Sequence, residues 1–221
     1  TIGEYSFWSL AGLAISHDGE TLALVRDGDV YVRGLEDVST ADDAPVLATY
    51  RGLVSLSADG LLSTTTTDRT MRLYDTGDLS LVMTLPMSKN ADRTALAADG
   101  SILAVANGGG INIVDPSSGV VLGSLPESPG QISAMAVSPD GALVAAAVGA
   151  SSVVIWKTSD LQVERTLPEE PINQGGAIFD SIRDIRFSPD GALLAAAGGG
   201  LSQTRVWTLT DNSEVKLSPK A

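Results

Sequence analysis

The chain has 221 residues, 43% of them hydrophobic, and carries 14 Lys and Arg against 27 Asp and Glu for a formal net charge of −13. That hydrophobic share is enough for a buried core, no apolar run approaches the roughly 20 residues of a membrane span, and the acidity argues against nucleic acid or an anionic lipid surface as partner. With no Cys and a single His, His17, the composition leaves no basis for disulfides, a zinc site or a Ser-His-Asp triad.

Taken in chain order, the sequence repeats itself. An Asp-Gly dipeptide follows an apolar stretch at Asp18, Asp59, Asp99, Asp140 and Asp190, in steps of 41, 40, 41 and 50 residues. A period of about 40 is that of propeller blades, and none of the segments shows the 3.6 spacing of helical repeats. Each repeat parses into four short strands. The first gives LAIS, TLALV, DVYVR and, after the acidic linker EDVSTADDA (36–44), PVLATY (45–50). The second gives LVSLS, LLSTTT, MRLYD and LSLVMTL; the third gives TALA, ILAVA, INIVD and VVLGSL. The fourth reads ISAMAVS (132–138), LVAAAV (143–148), SVVIWK (152–157) and LQVERTL (161–167). The fifth reads IRDIRFS, LLAAAG, TRVWTL and SEVKL. Between strands lie PDG, GAS and TSD, residues that accept tight-turn backbone angles.

Ala-rich LVAAAV and LLAAAG would score as helix on propensity alone. They are too short, sit between turn signals and align with LLSTTT, a poor helix but a good strand. Small side chains also suit a strand held between two neighbouring sheets. The expected fold class is therefore all-β, a β-propeller of four-stranded antiparallel blades over one domain, 1–221. The blades fall at about 10–50, 51–86, 91–126, 131–168 and 182–218, with an insertion at 169–181.

SPDGALVAAAVGASSVVIWKTSDLQVERTL (138–167) and SPDGALLAAAGGGLSQTRVWTLTDNSEVKL (188–217) resemble WD-repeat β-propeller blades. In that family an Asp-Gly turn joins the first two strands of a blade and a Trp-Asp pair closes the third. The resemblance covers nearly the whole chain in period and strand order, and it is degenerate in detail. The Trp position reads Arg33, Tyr74, Val114, Trp156 and Trp207, and the Asp after it survives as Asp75 and Asp115. The family's Gly-His dipeptide is absent, and the Asp of its second turn matches Asp68 and, more loosely, Asp27. Blades held mainly by apolar packing follow, with Trp156 and Trp207 in the core. Five visible blades leave two arrangements open, a closed five-blade ring or part of a larger propeller. EYSFW (4–8) would then be the last strand of an upstream blade or a supplementary edge strand. The start at Thr1 without Met reads as a processed or cloned terminus, and the acidity fits an extracytoplasmic or high-salt setting.

The motifs that could carry chemistry have plainer readings. His17 replaces the Pro of SPDG in a turn, and GGG at 108–110 and 198–200 lies in hairpins with no following helix to cradle a phosphate. Some five-bladed propellers are glycosidases, which need at least two carboxylates near the channel mouth. Aligned on Asp-Gly, only Asp92 and Asp184 sit early enough in a first strand, and each adjoins an Arg that would keep it charged.

No catalytic residue, cofactor or metal ligand is therefore expected. The resemblance implies instead a rim formed by the loops between the second and third strands and between blades, a surface that binds proteins or peptides in that family. On this chain the rim carries Asp27, Asp68, Arg69, Lys89, Asp92, Arg93, Gln131, Arg183, Asp184 and Gln203. The insertion EEPINQGGAIFDSI (169–182) adds Ile172, Ile178 and Phe179, large apolar residues flanked by acids in a loop. The centre of a partner-binding patch is expected at Ile178, Phe179, Arg183 and Asp184, with Asp68, Arg69, Arg93 and Gln131 around it. The expected function is a non-catalytic protein–protein interaction scaffold, a propeller module or subunit of a larger protein or complex. Two alternatives stay open: a permanently assembled structural subunit, and a glycosidase-like or carbohydrate-binding propeller.

Overall fold

The computed structural model describes residues 10–16, 18–26, 29–35, 46–47, 50–57, 60–66, 69–87, 91, 93–107, 110–127, 130–149, 152–167, 182–198, 204–211 and 213–217. These form five four-stranded antiparallel sheets, each built from four strands consecutive in the chain. Sheet 1 holds β1 (Leu10–Ile15), β2 (Thr21–Arg26), β3 (Asp29–Gly34) and β4 (Val46–Leu47). Sheet 2 holds β5 (Tyr50–Leu56), β6 (Leu61–Thr66), β7 (Thr70–Asp75) and β8 (Leu81–Pro86). Sheet 3 holds β9 (Arg93–Leu96), β10 (Leu103–Asn107), β11 (Gly110–Val114) and β12 (Val121–Leu125). Sheet 4 holds β13 (Ile132–Val137), β14 (Leu143–Val148), β15 (Ser152–Lys157) and β16 (Val163–Leu167). Sheet 5 holds β17 (Ile182–Phe187), β18 (Leu193–Gly198), β19 (Thr204–Thr208) and β20 (Glu214–Leu217). The chain divides into two compact units, Thr1–Asn90 with sheets 1 and 2, and Ala91–Ala221 with sheets 3 to 5.

The Ala-rich runs are strands, as expected. Val144, Ala145, Ala146, Ala147 and Val148 are all buried, so β14 is covered on both faces. A large side chain there would meet a neighbouring sheet on either side, which explains the run of Ala. Alternation sorts each sheet into two faces. In sheet 4, Met135, Val137, Val144, Ala146, Val148, Val154 and Trp156 pack against Ala95, Ala97, Ala104, Ala106, Ile111, Ile113 and Leu125 of sheet 3. The opposite face of sheet 4, Ala134, Ala136, Ala145, Ala147, Val153 and Ile155, packs against Ile182, Ile185, Leu194, Ala196 and Trp207 of sheet 5. In the first unit, Ala23, Val25, Val30 and Val32 of sheet 1 meet Leu56, Leu62 and Tyr74 of sheet 2. At the two contacts of the second unit a face rich in Ala receives a larger set from the sheet that follows.

The Asp-Gly turns of sheets 1, 3, 4 and 5 are small hydrogen-bonded units. Ser138 Oγ donates to Asp140 Oδ1 at 2.6 Å and accepts from Leu143 N at 2.9 Å. The carboxylate also accepts from Ala142 N at 3.1 Å, and Gly141 takes φ +68°. Ser188, Asp190 and Leu193 repeat this in sheet 5, and Ser16, Asp18 and Thr21 in sheet 1. Where sheet 3 has Ala97 in place of Ser, Ser101 donates to Asp99 Oδ1 at 2.6 Å from the other side of the turn.

Several strand boundaries differ from expectation. PVLATY is not one strand: β4 covers only Val46–Leu47, and Tyr50 begins β5. The fourth strands of sheets 2 and 4 begin two residues late, at Leu81 and Val163, because Leu79 and Leu161 take left-handed φ values of 59° and end the preceding turns. EYSFW (4–8) and the insertion 169–181 lie outside the described residues.

Candidate rim surface

In the second unit, strands β9, β13 and β17 lie side by side, each opening its sheet. Two of them start with a bulge. The register of β13 on β14 shifts between Ile132 and Ala134, and that of β17 on β18 between Ile182 and Asp184. A bulge leaves one residue outside the ladder and re-aims its side chain. Those residues are Ser133 and Arg183.

Ser133 is used as a tie between sheets. Its hydroxyl donates to Ile182 O of sheet 5 at 2.6 Å, and its carbonyl accepts from Arg93 Nε of sheet 3 at 2.7 Å. Arg93, one of the expected rim residues, is half-buried and locks one sheet to the next with this hydrogen bond. Arg183 at the equivalent bulge is exposed, and so is Asp184 beside it. Asp184 Oδ1 stands 3.3 Å from Arg186 Nε, an ion pair open to solvent on both sides. Gln131, just ahead of β13, has an exposed side chain while its carbonyl accepts from Gly149 N at 3.1 Å. The structure thus places Arg93, Gln131, Arg183 and Asp184 at the leading ends of first strands in one unit. Arg69 belongs to the other unit, in the turn between β6 and β7, exposed and at φ 62°, with its carbonyl accepting from Met87 N at 2.8 Å. Asp68, Ile178 and Phe179 lie outside the described residues, as do His17, Asp27, Lys89, Asp92, Ile172 and Gln203.

One feature of this surface went unread in the sequence. Where sheet 5 has Arg186, sheets 1, 3 and 4 have Ala14, Ala95 and Ala136; where it has Asp184, sheet 4 has Ala134. The alignment on Asp-Gly contains that signal: two charges replace two alanines on a face that, in sheet 4, is packed against its neighbour.

As chemistry, the described residues of this surface offer charge and hydrogen-bonding groups. Asp184 is exposed and ion-paired, and no group of three or more His, Cys, Asp or Glu residues that could hold a metal occurs among the described residues. The acids with clearly displaced acidity are turn residues, apart from Glu164 on β16, which the Lys157 ammonium lowers. Hydroxyls of Ser118 and Ser117, with the Ser117 N–H, hold the Asp115 carboxyl down at about 2. Asp140 and Asp190 are lowered by the hydroxyls of Ser138 and Ser188 and then by backbone N–H groups.

Residues 119–157 and 176–208 match the family model for the WD domain, G-beta repeat. Among solved structures, a chain in the crystal structure of the mitotic checkpoint complex aligns with a TM-score of 0.72 at 19% identity. The alignment covers 93% of this chain and 62% of that one, so this chain spans less than two thirds of its length. At that identity the likeness bears on the fold alone, a β-propeller of four-stranded blades. No curated protein matches the sequence.

Proposed function

We propose that this WD-repeat chain is a non-catalytic protein–protein interaction scaffold, a module or subunit of a larger protein or complex. Its partner would bind at the leading ends of the first strands and on the loop that follows sheet 4. The observation that supports this most is the contrast between two equivalent bulges. Ser133 is consumed in tying sheets together, whereas Arg183 is left exposed beside Asp184 and next to the 169–181 insertion. Arg and aromatic residues are those most enriched where binding energy concentrates, so Arg183 with Phe179 and Ile178 forms the centre of the surface, and Gln131, Arg93, Arg69 and Asp68 its surroundings. The repeat-family match and the fold's occurrence in a multi-protein complex point the same way.

The test is a pair of surface variants, Arg183→Glu and Gln131→Ala, compared with the unaltered chain for association with proteins that co-purify with it. Both should fold with unchanged Tm, and Arg183→Glu should lose association at least about tenfold, the scale of a hot-spot contact. Equal association in both variants would move the surface elsewhere. Cleavage of aryl glycosides that disappears in Asp184→Asn would favour the carbohydrate-active alternative instead.

A further inference from the structure

Sheet 5 packs one face on sheet 4 and leaves the other open. Strand pairing lays two rows of residues across the open face. One row holds Arg186, Ala195, Val206 and Val215, and the next holds Asp184, Ala197 and Thr204. Where β17 has Asp184 and Arg186, the first strand of sheet 4 has Ala134 and Ala136, and there the same face is closed by Ile182, Ile185, Leu194 and Trp207 of sheet 5. In sheet 5, by contrast, Asp184 and Arg186 are exposed, Val215 is 55% exposed and Leu193 is 39% exposed.

The two charges decide what this face can meet. A cover of large apolar side chains, such as sheet 5 itself lays over sheet 4, would strip Asp184 and Arg186 of water and give neither a new partner. Their own contact at 3.3 Å does not repay that loss. A fitting occupant brings a cation to Asp184 and a carboxylate to Arg186, on a face otherwise small and apolar. A second copy of the same face meets both conditions. An isologous contact repeats one patch about a two-fold axis. Let the axis lie in the contact plane, across the strands and midway between the two rows. Each row then meets the other row of the copy: Arg186 faces the copy's Asp184, Ala195 faces Ala197, and Val206 faces Thr204.

We propose that the open face of sheet 5 is a self-association surface, joining two copies of this chain through reciprocal contacts between Asp184 and Arg186. Strands about 4.8 Å apart and rows about 7 Å apart give the face a footprint of roughly 20 Å on a side. That lies at the small end of specific interfaces, so the dimer is weak and reversible. Each copy carries a net charge of −13, and at physiological ionic strength screening beyond about 8 Å removes most of that repulsion. The inference goes beyond partner binding on the rim and does not rest on it, since self-association is measured on the purified chain alone.

Sedimentation velocity at physiological salt, over a concentration series reaching several hundred micromolar, tests this. The unaltered chain should pass from monomer to dimer as concentration rises. Asp184→Arg sets Arg against Arg at both contacts, and Arg186→Asp sets Asp against Asp. Each single variant should therefore self-associate at least about tenfold more weakly, with Tm nearly unchanged because both positions are exposed. Mixed in equal amounts, the two variants should form a heterodimer, since each supplies the charge that the other lacks. That recovery is intermolecular and also shows that both variants are folded. An unaltered chain that stays monomeric across the series would overturn the proposal. So would a dimer that both single variants retain, or single variants that stay apart when mixed.

Discussion

Single residues set the turns and anchor the core. At the Asp-Gly turns the carboxylate is held by a Ser hydroxyl and a backbone N–H, both of which favour its charged form. A carboxyl lowered in the folded state stabilises the fold fully above its unfolded value of about 4, and that contribution fades as pH falls through the lower folded value. Ser138→Ala should therefore raise the titration midpoint of Asp140 towards the ordinary range and shift the onset of acid unfolding upward. A carboxyl-detected NMR titration reads this directly, with Asp115 as an internal standard near 2. Trp156 stands at the other extreme. It is 1% exposed between sheets 3 and 4, and its indole N–H has no hydrogen-bond partner among the described residues. Trp156→Ala should cost about 3–5 kcal/mol in urea unfolding, as large-to-small core changes do. Trp156→Phe should cost much less, since it removes an unsatisfied donor along with part of the ring system.

At the scale of elements, neighbouring sheets constrain one another through glycines. Gly141 has φ +68°, and a Cβ there would overlap Ser101 Oγ and lie 3.1 Å from Ile102 Cγ1, both in the hairpin of sheet 3. Gly19 has the similar φ of +76° with nothing within 4 Å. Ala at Gly19 should thus cost only the left-handed conformation, about 1 kcal/mol. Gly141→Ala should cost clearly more, and Ser101→Ala should recover part of the difference in a double-mutant cycle. A second such contact joins sheets 3 and 4, where a Cβ on Gly123 would run into the side chain of Leu161. That packing, together with contact with the core of sheets 3 and 4, accounts for a Leu held at φ 59°.

This is also where reading from sequence succeeded and stopped. The strands LVAAAV and SVVIWK were legible because Asp-Gly and Thr-Ser-Asp bracket them at a fixed period. The late starts of β8 and β16 were not, since a left-handed Leu carries no local signal and is held by a neighbouring sheet. The bulges at Ser133 and Arg183 were hidden for the same reason: register depends on tertiary contacts, while composition at the two positions differs entirely. Of the rim residues, Arg93 gave its charge to the reading but not its role, because its hydrogen bond reaches a residue forty positions away.

Across the whole molecule, one design recurs with small variations. A small-residue face receives a larger one at each contact between the sheets of the second unit, which lets an irregular repeat form its blades mainly by apolar packing. Stability is carried by those apolar faces, so the loops and strand ends are free to differ. Loop closure entropy rises slowly with length, so the 169–181 insertion is compatible with the fold whatever its role. What distinguishes it is composition, Ile178 and Phe179 next to the exposed Arg183 and Asp184. The most direct measurement is quantitative affinity purification from the source cells, using the tagged chain and the same chain with 170–179 replaced by a short Gly-Ser turn. The trimmed chain should keep its Tm and lose at least one protein that the intact chain enriches reproducibly. If both chains retain the same proteins at the same levels, the loop and the strand ends beside it are not where this chain binds a partner.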